Sequence, residues 1–546
     1  MRSSYYNIFF LLLSFLLFEC TTENKNPDTP KIKYGGTLKI SINDPVTTLD
    51  PAKILYTSDL KTASIIYEGL VEFDSAGNII PSLAERWEKL DNGRRWVFHL
   101  RNNVYFQNDP CFENGKGRKF SASDVLFTFY RIAKPLSGTV AAELFRDKIL
   151  GMNEFISEET DDIAGIKALD SNKIEFRLYK PFVTFLKLLA TPYAYIVPRE
   201  AVEFYNVDFE KHPVGTGPFR LAQWQRWKEI VLVKNMNYWA KTPGGLPLPF
   251  LDKIKLKLIE RKKLSVPEFL KGETNIFLLD KPQFKNFSKR ESFSGNYGFT
   301  VVNKGLGLRF FGFSMDNNGT VAKNKTLRKI LFILLENIKQ KHPEKFNGEI
   351  AYSLIPIHFF KSEYKRLKHS NLNEVKRLIA EIPATEKEKK IELFATIGTP
   401  VAEKFVELLK LYQFNIKEKT IKLNYYGEII TRRPDIFRVS MIPSFPDPEE
   451  FYMLFYSKSN RNINLCGYEN VTYDEIFEKT MFEEDTNKRE KLFNRLENIL
   501  SEDLPALYLT HEGTKYYVYP KSVHGFTLKY NIPSYKSVWI NPIETQ

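Results

Sequence analysis

Residues 213–239, PVGTGPFRLAQWQRWKEIVLVKNMNYW, constrain what this chain can fold into more than any other stretch. Gly215 and Gly217 predict backbone angles closed to other residues, and Pro218 fixes φ just before a strand. Phe219 and Leu221 begin a period-2 alternation. Lys228 and Glu229 sit near a turn, and Ile230, Leu232 and Val233 form the return strand of a β-hairpin. An aromatic pair, Tyr238 and Trp239, closes the unit.

A chain of 546 residues is too long for one core and long enough for two or three. Phe and Tyr are abundant, 44 and 28 residues, so most must be core while some are available to line a cleft. The net charge of +13 is spread along the chain, with no long basic run interleaved with aromatics, which argues against a nucleic-acid partner. The three cysteines, Cys20, Cys111 and Cys466, form no CxxC and no Cys/His cluster, so no structural zinc site is expected. In an exported protein Cys111 and Cys466 are either free or paired, and their spacing does not decide which.

Residues 1–20 read as a targeting segment. Arg2 supplies the charge, and Ile8 to Phe18 an apolar run of signal-peptide length, too short to span a bilayer as a stable helix. The end, Leu17-Phe18-Glu19-Cys20, resembles a lipobox, in which Cys20 becomes the lipidated N-terminus; Glu19 departs from the small residue usual there. A plain signal peptide or an uncleaved anchor is the rival reading. Residues 21–33 then form a polar tether without periodicity.

Ordered sequence is predicted from Tyr34. Thr37-Leu38-Lys39-Ile40-Ser41-Ile42 alternates as a first strand, and Ile65 to Leu70 reads as a helix end with Gly69 as its C-cap. Asp91-Asn92-Gly93 is a turn before the alternating Trp96, Phe98 and Leu100. Ser121 and Asp124 make a capping pair for a helix that continues from Val125. Ile174, Phe176 and Leu178 alternate as another strand, Leu251 to Ile259 forms a further one, and Val401 to Tyr412 has the spacing of a helix packed on a sheet.

With these residues the chain resembles the family 5 extracellular solute-binding proteins, the oligopeptide, dipeptide and nickel binders of ABC importers. The matching pieces are Gly35-Gly36-Thr37-Leu38, Thr48-Leu49-Asp50-Pro51, Tyr67-Glu68-Gly69-Leu70, Pro81 to Trp87, Phe120 to Val125, the hairpin of residues 213–239, and Ser444 to Phe451. The resemblance runs from about Tyr34 to Tyr530 and is densest up to residue 276. It implies an α/β fold of two lobes hinged around a ligand cleft, with an extra domain inserted in the first. The expected division is lobe I from residues 34–54, 163–280 and 507–546, the inserted domain at 55–162, and lobe II at 281–506.

The resemblance also implies the site: Leu55, Tyr56 and Thr57 from one lobe, and Arg438, Met441, Ser444, Phe445 and Tyr508 from the other. In typical peptide binders an Asp that pairs with the ligand's α-amine stands where this chain has Ser444, and an acid is common where it has Leu55. A hydroxyl cannot replace a carboxylate in a desolvated ion pair, whose loss costs on the order of 3–5 kcal/mol. The sequence therefore predicts an amine end poor in acids, with Arg438 retained as the cation, and a blocked, anionic or more apolar ligand. Asp447 reads as a turn carboxylate before Pro448.

No G-x-S-x-G, Walker loop or H-E-x-x-H is present, and Gly215-Thr216-Gly217 leads into a strand rather than a helix, so no enzyme is expected. His99 reads as structural; His358 and His511 have no partner that would make a metal or haem site, and no cofactor is expected. The expectation is an exported, envelope-located, monomeric lipoprotein. It would be anchored to a membrane and would capture a peptide or related small solute for ABC permease subunits and their ATPases. The alternative is a binding-fold lipoprotein that has lost transport and acts in surface interaction or signalling.

Overall fold

The structure is a computed structural model that describes residues 32–134, 139–259, 266–302, 306–317, 319–346, 348–356, 359, 371–396, 399–421 and 425–541. Cys20 and the tether up to Lys31, as well as His358, lie outside the described residues.

The first strand, Thr37–Ile42, runs parallel to Lys253–Leu258, which pairs antiparallel with Glu229–Lys234. Glu229–Lys234 in turn pairs with Phe219–Gln225. The predicted hairpin is thus one edge of a four-stranded sheet, with Leu38, Ile254 and Leu232 buried on its core face. Gly215 and Gly217 act differently from expectation. Neither has a positive φ. A Cβ at Gly215 would lie 2.3 Å from the carbonyl oxygen of Ile66, and one at Gly217 2.6 Å from it. These glycines admit a neighbouring backbone rather than an unusual dihedral. Gly69 is also no left-handed cap: the helix Thr57–Ile66 ends at Tyr67, and a Cβ on Gly69 would sit 3.0 Å from the carbonyl oxygen of Leu189.

A second four-stranded sheet joins Ala84–Leu90 and Arg95–Leu100 to Lys173–Arg177 and Ile166–Asp170. Its hydrogen bonds cross the division expected after residue 162. The predicted turn holds, with Asp91, Asn92 and Gly93 all at positive φ. So does the capping pair, since Asp124 accepts from the Ser121 backbone at 2.9 Å.

The six-stranded sheet has the order Glu349–Ile350, Ala506–His511, Leu308–Phe313, Ile436–Met441, Ile391–Ala395, Ile416–Thr420. Its last three strands are parallel, joined by the crossover helices Pro400–Leu411 and Tyr425–Arg432. Helices Lys325–Lys341 and Pro400–Leu411 cover one face, burying Leu331, Leu334, Phe405 and Leu409 against Phe311 and Phe313. The other face, with Phe310 and Val439, packs into the larger core that also holds residues from both four-stranded sheets. Ala506–His511 belongs to this sheet, so the sheet continues past the division expected at residue 506.

Between these bodies lies a three-stranded sheet of Phe277–Asp280, Lys515–Pro520 and Tyr297–Val302. The chain passes through it on the way to the six-stranded sheet and again on the return. After Pro520 two short ribbons carry the chain back to the N-terminal half, where Lys529 and Lys536 pair with Glu72.

Candidate functional site

In an open α/β sheet, ligands gather at the carboxyl ends of the parallel strands. Here those ends lead into Thr396, Tyr425 and the 442–449 loop. The facing wall is the start of helix Thr57–Ile66. Tyr56 is its N-cap residue, and its ring meets that of Tyr426 at 6.2 Å. Leu55 is 55% exposed beside it, and Tyr56 and Thr57 are half-buried. Two of the three predicted positions after Pro51 thus flank the Tyr56–Tyr426 contact between the halves.

On the opposite wall Arg438 is half-buried and donates to Thr396 Oγ1 at 3.1 Å, while its backbone N–H donates to the Tyr425 hydroxyl at 3.0 Å. Met441 is half-buried three residues further along the same strand, and Ile442 after it is exposed. Ser444 is buried, and both its backbone N–H and its hydroxyl donate to the Glu450 carboxylate, at 2.8 and 2.7 Å.

That bond puts a carboxylate beside position 444. The carboxylate missing from position 444 returns six residues later, turned back onto the same loop. Burial pushes the Glu450 carboxyl up to about 7, against the pull of the Ser444 and Phe445 donors. A second acid, Asp59, stands in the first turn of the facing helix. It is fully buried and accepts from Thr47 N at 2.7 Å and Thr47 Oγ1 at 2.8 Å. Burial raises it to about 6. Tyr193, also buried, lies within the electrostatic reach of both acids and beside Ser444. Asp59, Tyr193, Ser444 and Glu450 are therefore buried near one another and come from both halves of the chain. Sequence reasoning missed Asp59, Tyr193 and Glu450. The only signal was an acid at the first turn of a helix that follows Asp50-Pro51, a pattern as well explained by the helix dipole.

Two predicted residues fall elsewhere. Phe445 is 1% exposed in the core, and its ring is used for packing. Tyr508 sits on the strand that opposes Phe310 and lines a water-sized cavity of about 20 Å³, together with Lys339, Tyr352 and Glu497. A cavity of that size holds about one water, not a solute. His511 is buried, with its Nε2 3.1 Å from the carbonyl oxygen of Ser353. His99 is held by Arg86 and Glu88, as a structural histidine would be. Cys111 and Cys466 are free thiols. Among the described residues no group of three or more His, Cys, Asp or Glu is placed to hold a metal ion.

Asp447 is structural, as its sequence context suggested. Arg489 grips it through Nη1 and Nη2, both at 2.8 Å, and Lys187 donates to it at 2.9 Å. Burial alone would raise its carboxyl, but the two cations outweigh that and hold it low.

The sequence profile of bacterial extracellular solute-binding proteins, family 5 (middle region), matches residues 78–462. The peptide transport periplasmic protein SapA of Salmonella typhimurium is 23% identical over 519 residues, covering 89% of this chain and 88% of that protein. Among solved structures, Haemophilus influenzae OppA in complex with RPPGFSPFR superposes with a TM-score of 0.79 at 19% identity, covering 93% of this chain and 100% of the other. AgaA of A. tumefaciens in complex with agropinic acid gives a TM-score of 0.74 at 20% identity, covering 93% and 99%. The fold is the two-lobed one these periplasmic binding proteins share. Members of the matched family bind solutes and are not enzymes. With the profile spanning most of the chain, from the end of the first lobe's opening to the site loop, this protein belongs to the family 5 extracellular solute-binding proteins.

Proposed function

We propose that this protein is the substrate-binding subunit of an ABC importer, capturing a peptide-like solute between its lobes and delivering it to membrane permease subunits driven by their ATPases. It acts as an exported monomer held to a membrane by a lipid on Cys20, with residues 21–33 as the tether. The observation that supports the ligand class is the buried Glu450 carboxylate on Ser444, after the parallel strand Ile436–Met441, with Tyr193 and Asp59 of the other half nearby. An incoming ammonium would lower the energy of the ionised Glu450 and draw its proton off, so a free-amine end is the natural guest. Arg438, on the opposite side of the Tyr425–Tyr426 pair, suits a carboxylate. This reading replaces the blocked or anionic ligand suggested by Ser444 alone.

Titration calorimetry with a panel of short free-amine peptides and their N-acetylated forms tests it, on the wild type and on Glu450→Gln. Free-amine peptides should bind, and acetylation or the substitution should each weaken binding by roughly 10–100-fold, the worth of a hydrogen bond to a charged group. Equal affinity for acetylated and free peptides removes Glu450 from the reading. Absence of binding across the panel favours the interaction role over transport. Lipidation is tested separately: Cys20→Ser should abolish incorporation of labelled fatty acid.

A further inference from the structure

The outer face of the first four-stranded sheet carries charge of almost one sign. Residues that pair in register share a face of a sheet. Lys39 pairs with Lys255, Lys255 with Val231, and Val231 with Gln223, so one row of side chains crosses all four strands. Lys253 and Lys257 flank that row on the same face, and Arg220 stands opposite Val233 beside Lys253. Glu229, across from Lys257, is the one acid in these four strands. The five cations are exposed or half-buried, and among the described residues none of them forms an ion pair. Like charges on neighbouring strands repel, so the fold gains nothing from this row. Lysines that blunt a sheet edge sit on edge strands, whereas Lys253–Leu258 is central.

The two ends of the face carry further features of one kind. At one end Thr37 pairs with Lys253, where the chain emerges from the tether. The chain from Cys20 to Thr37 reaches at most about 60 Å, so the face lies close to whatever holds the N-terminus. At the other end is the hairpin turn Arg226-Trp227-Lys228, tied to the sheet by the Leu258 N–H on the Lys228 carbonyl at 2.8 Å. Trp227 is 57% exposed and sits at φ 63. A bulky side chain is rare at positive φ, and neither burial nor turn geometry accounts for an indole there. A Trp between Arg and Lys has the chemistry of a membrane–water interface, with the ring at headgroup level and the cations on phosphates.

We propose that this sheet face and the Trp227 turn dock on a phospholipid bilayer of net negative charge, beside the point where the N-terminus is attached. The four lysines and Arg220 meet headgroup phosphates, and Trp227 enters the interface. Attachment keeps the face at high local concentration over the lipid, so a few screened contacts suffice to orient the first lobe against the membrane. The inference rests on the exported, membrane-held reading. It is the same whether the attachment is a lipid on Cys20 or the apolar run of residues 8–18.

The test reconstitutes the full-length protein into vesicles of phosphatidylcholine alone or mixed equally with phosphatidylglycerol, with acyl chains brominated near the headgroup. Flotation reports attachment, and quenching of tryptophan emission reports contact. Anionic vesicles should quench a component that neutral ones do not. That component should vanish in Trp227→Phe and fall several-fold in the variant combining Lys39→Gln, Lys255→Gln and Lys257→Gln. It should also fall in ~0.5 M salt, where screening acts within a few Å. Trp227→Phe, a single surface change, keeps the test readable where the triple variant does not fold. Equal quenching by the two vesicles, or quenching that survives the lysine substitutions, would overturn the docking face. Flotation on both vesicles without Trp227 quenching would overturn it while leaving the attachment intact, and would give the face to an acidic protein partner. Salt-sensitive flotation on anionic vesicles alone supports the face and counts against the N-terminal attachment. Flotation on neither overturns both.

Discussion

Glu68 and Asp447 are both carboxylates buried almost completely, at 2% and 1% exposure, yet the chain satisfies them in opposite ways. Glu68 is met by neutral donors: Thr216 Oγ1 at 3.0 Å, Tyr238 Oη at 2.8 Å and Trp239 Nε1 at 2.9 Å. All three donors come from the 213–239 stretch, so the glycine-proline turn and the closing aromatic pair exist in part to reach this one acid. Burial raises its carboxyl, and among the described residues no cation lies in direct contact with it. Asp447 is met by two cations, one from each half of the molecule, and its carboxyl is held low. The first arrangement fixes one body internally. The second joins two bodies. Neutral hydrogen bonds are short-ranged and suit a contact that never opens, whereas charges attract across a gap and are rehydrated when parted.

The strongest way to break this comparison is Arg489→Met. It leaves Asp447 buried with only the partly exposed Lys187, and should cost about 3–5 kcal/mol of unfolding free energy in urea denaturation. A loss under ~1 kcal/mol would mean that water already reaches Asp447 and that the cluster is an ordinary surface contact.

Next in size is Glu68→Leu. It strands two buried donors and the half-buried Trp239 N–H, a buried one costing about 1–3 kcal/mol in isolation, and relaxation should bring the net loss to ~2–3 kcal/mol. Glu68→Gln keeps an acceptor and should lose less. If the two variants are equally unstable, the ionised form of Glu68 matters and the contrast with Asp447 is weaker than drawn.

The smallest effect is on pH dependence. Asp59, Glu450 and Glu497 have folded-state carboxyls raised by burial to about 6, 7 and 7. In the unfolded chain they ionise in the ordinary carboxylate range near ~4. Between those values the native state binds more protons than the unfolded state, so stability falls as pH rises from ~4 to ~7 and then levels off. Glu450→Gln should flatten its share of that slope, read from denaturation midpoints at pH 5 and pH 8. An unchanged slope would show that Glu450 is ionised in the folded protein, and would align it with Asp447 rather than with Glu68.

Much of the fold was legible in the sequence wherever local chemistry decided the outcome. Alternation fixed the strands Thr37–Ile42, Arg95–Leu100 and Phe219–Gln225, and the Asp91-Asn92-Gly93 turn and the Ser121–Asp124 pair needed only neighbouring residues. Of the expected site residues, Tyr56 meets Tyr426 and Ser444 stands beside Tyr193, both contacts between the two halves. Ser444 looked like the loss of an acid because the replacing carboxylate, Glu450, is six residues away and becomes a neighbour only when the loop folds back.

The sequence by itself determined the family and the strand and helix periods, because these follow from residue type and spacing along the chain. Tertiary structure alone decided why Gly215 and Gly217 are glycines, since the atom they must avoid, the Ile66 carbonyl oxygen, is about 150 residues away. It also decided that Phe445 packs in the core, that Tyr508 faces a water-sized cavity, and that Asp59 and Glu450 both come near Tyr193. Each of these depends on which group occupies the space opposite, and no local pattern encodes that.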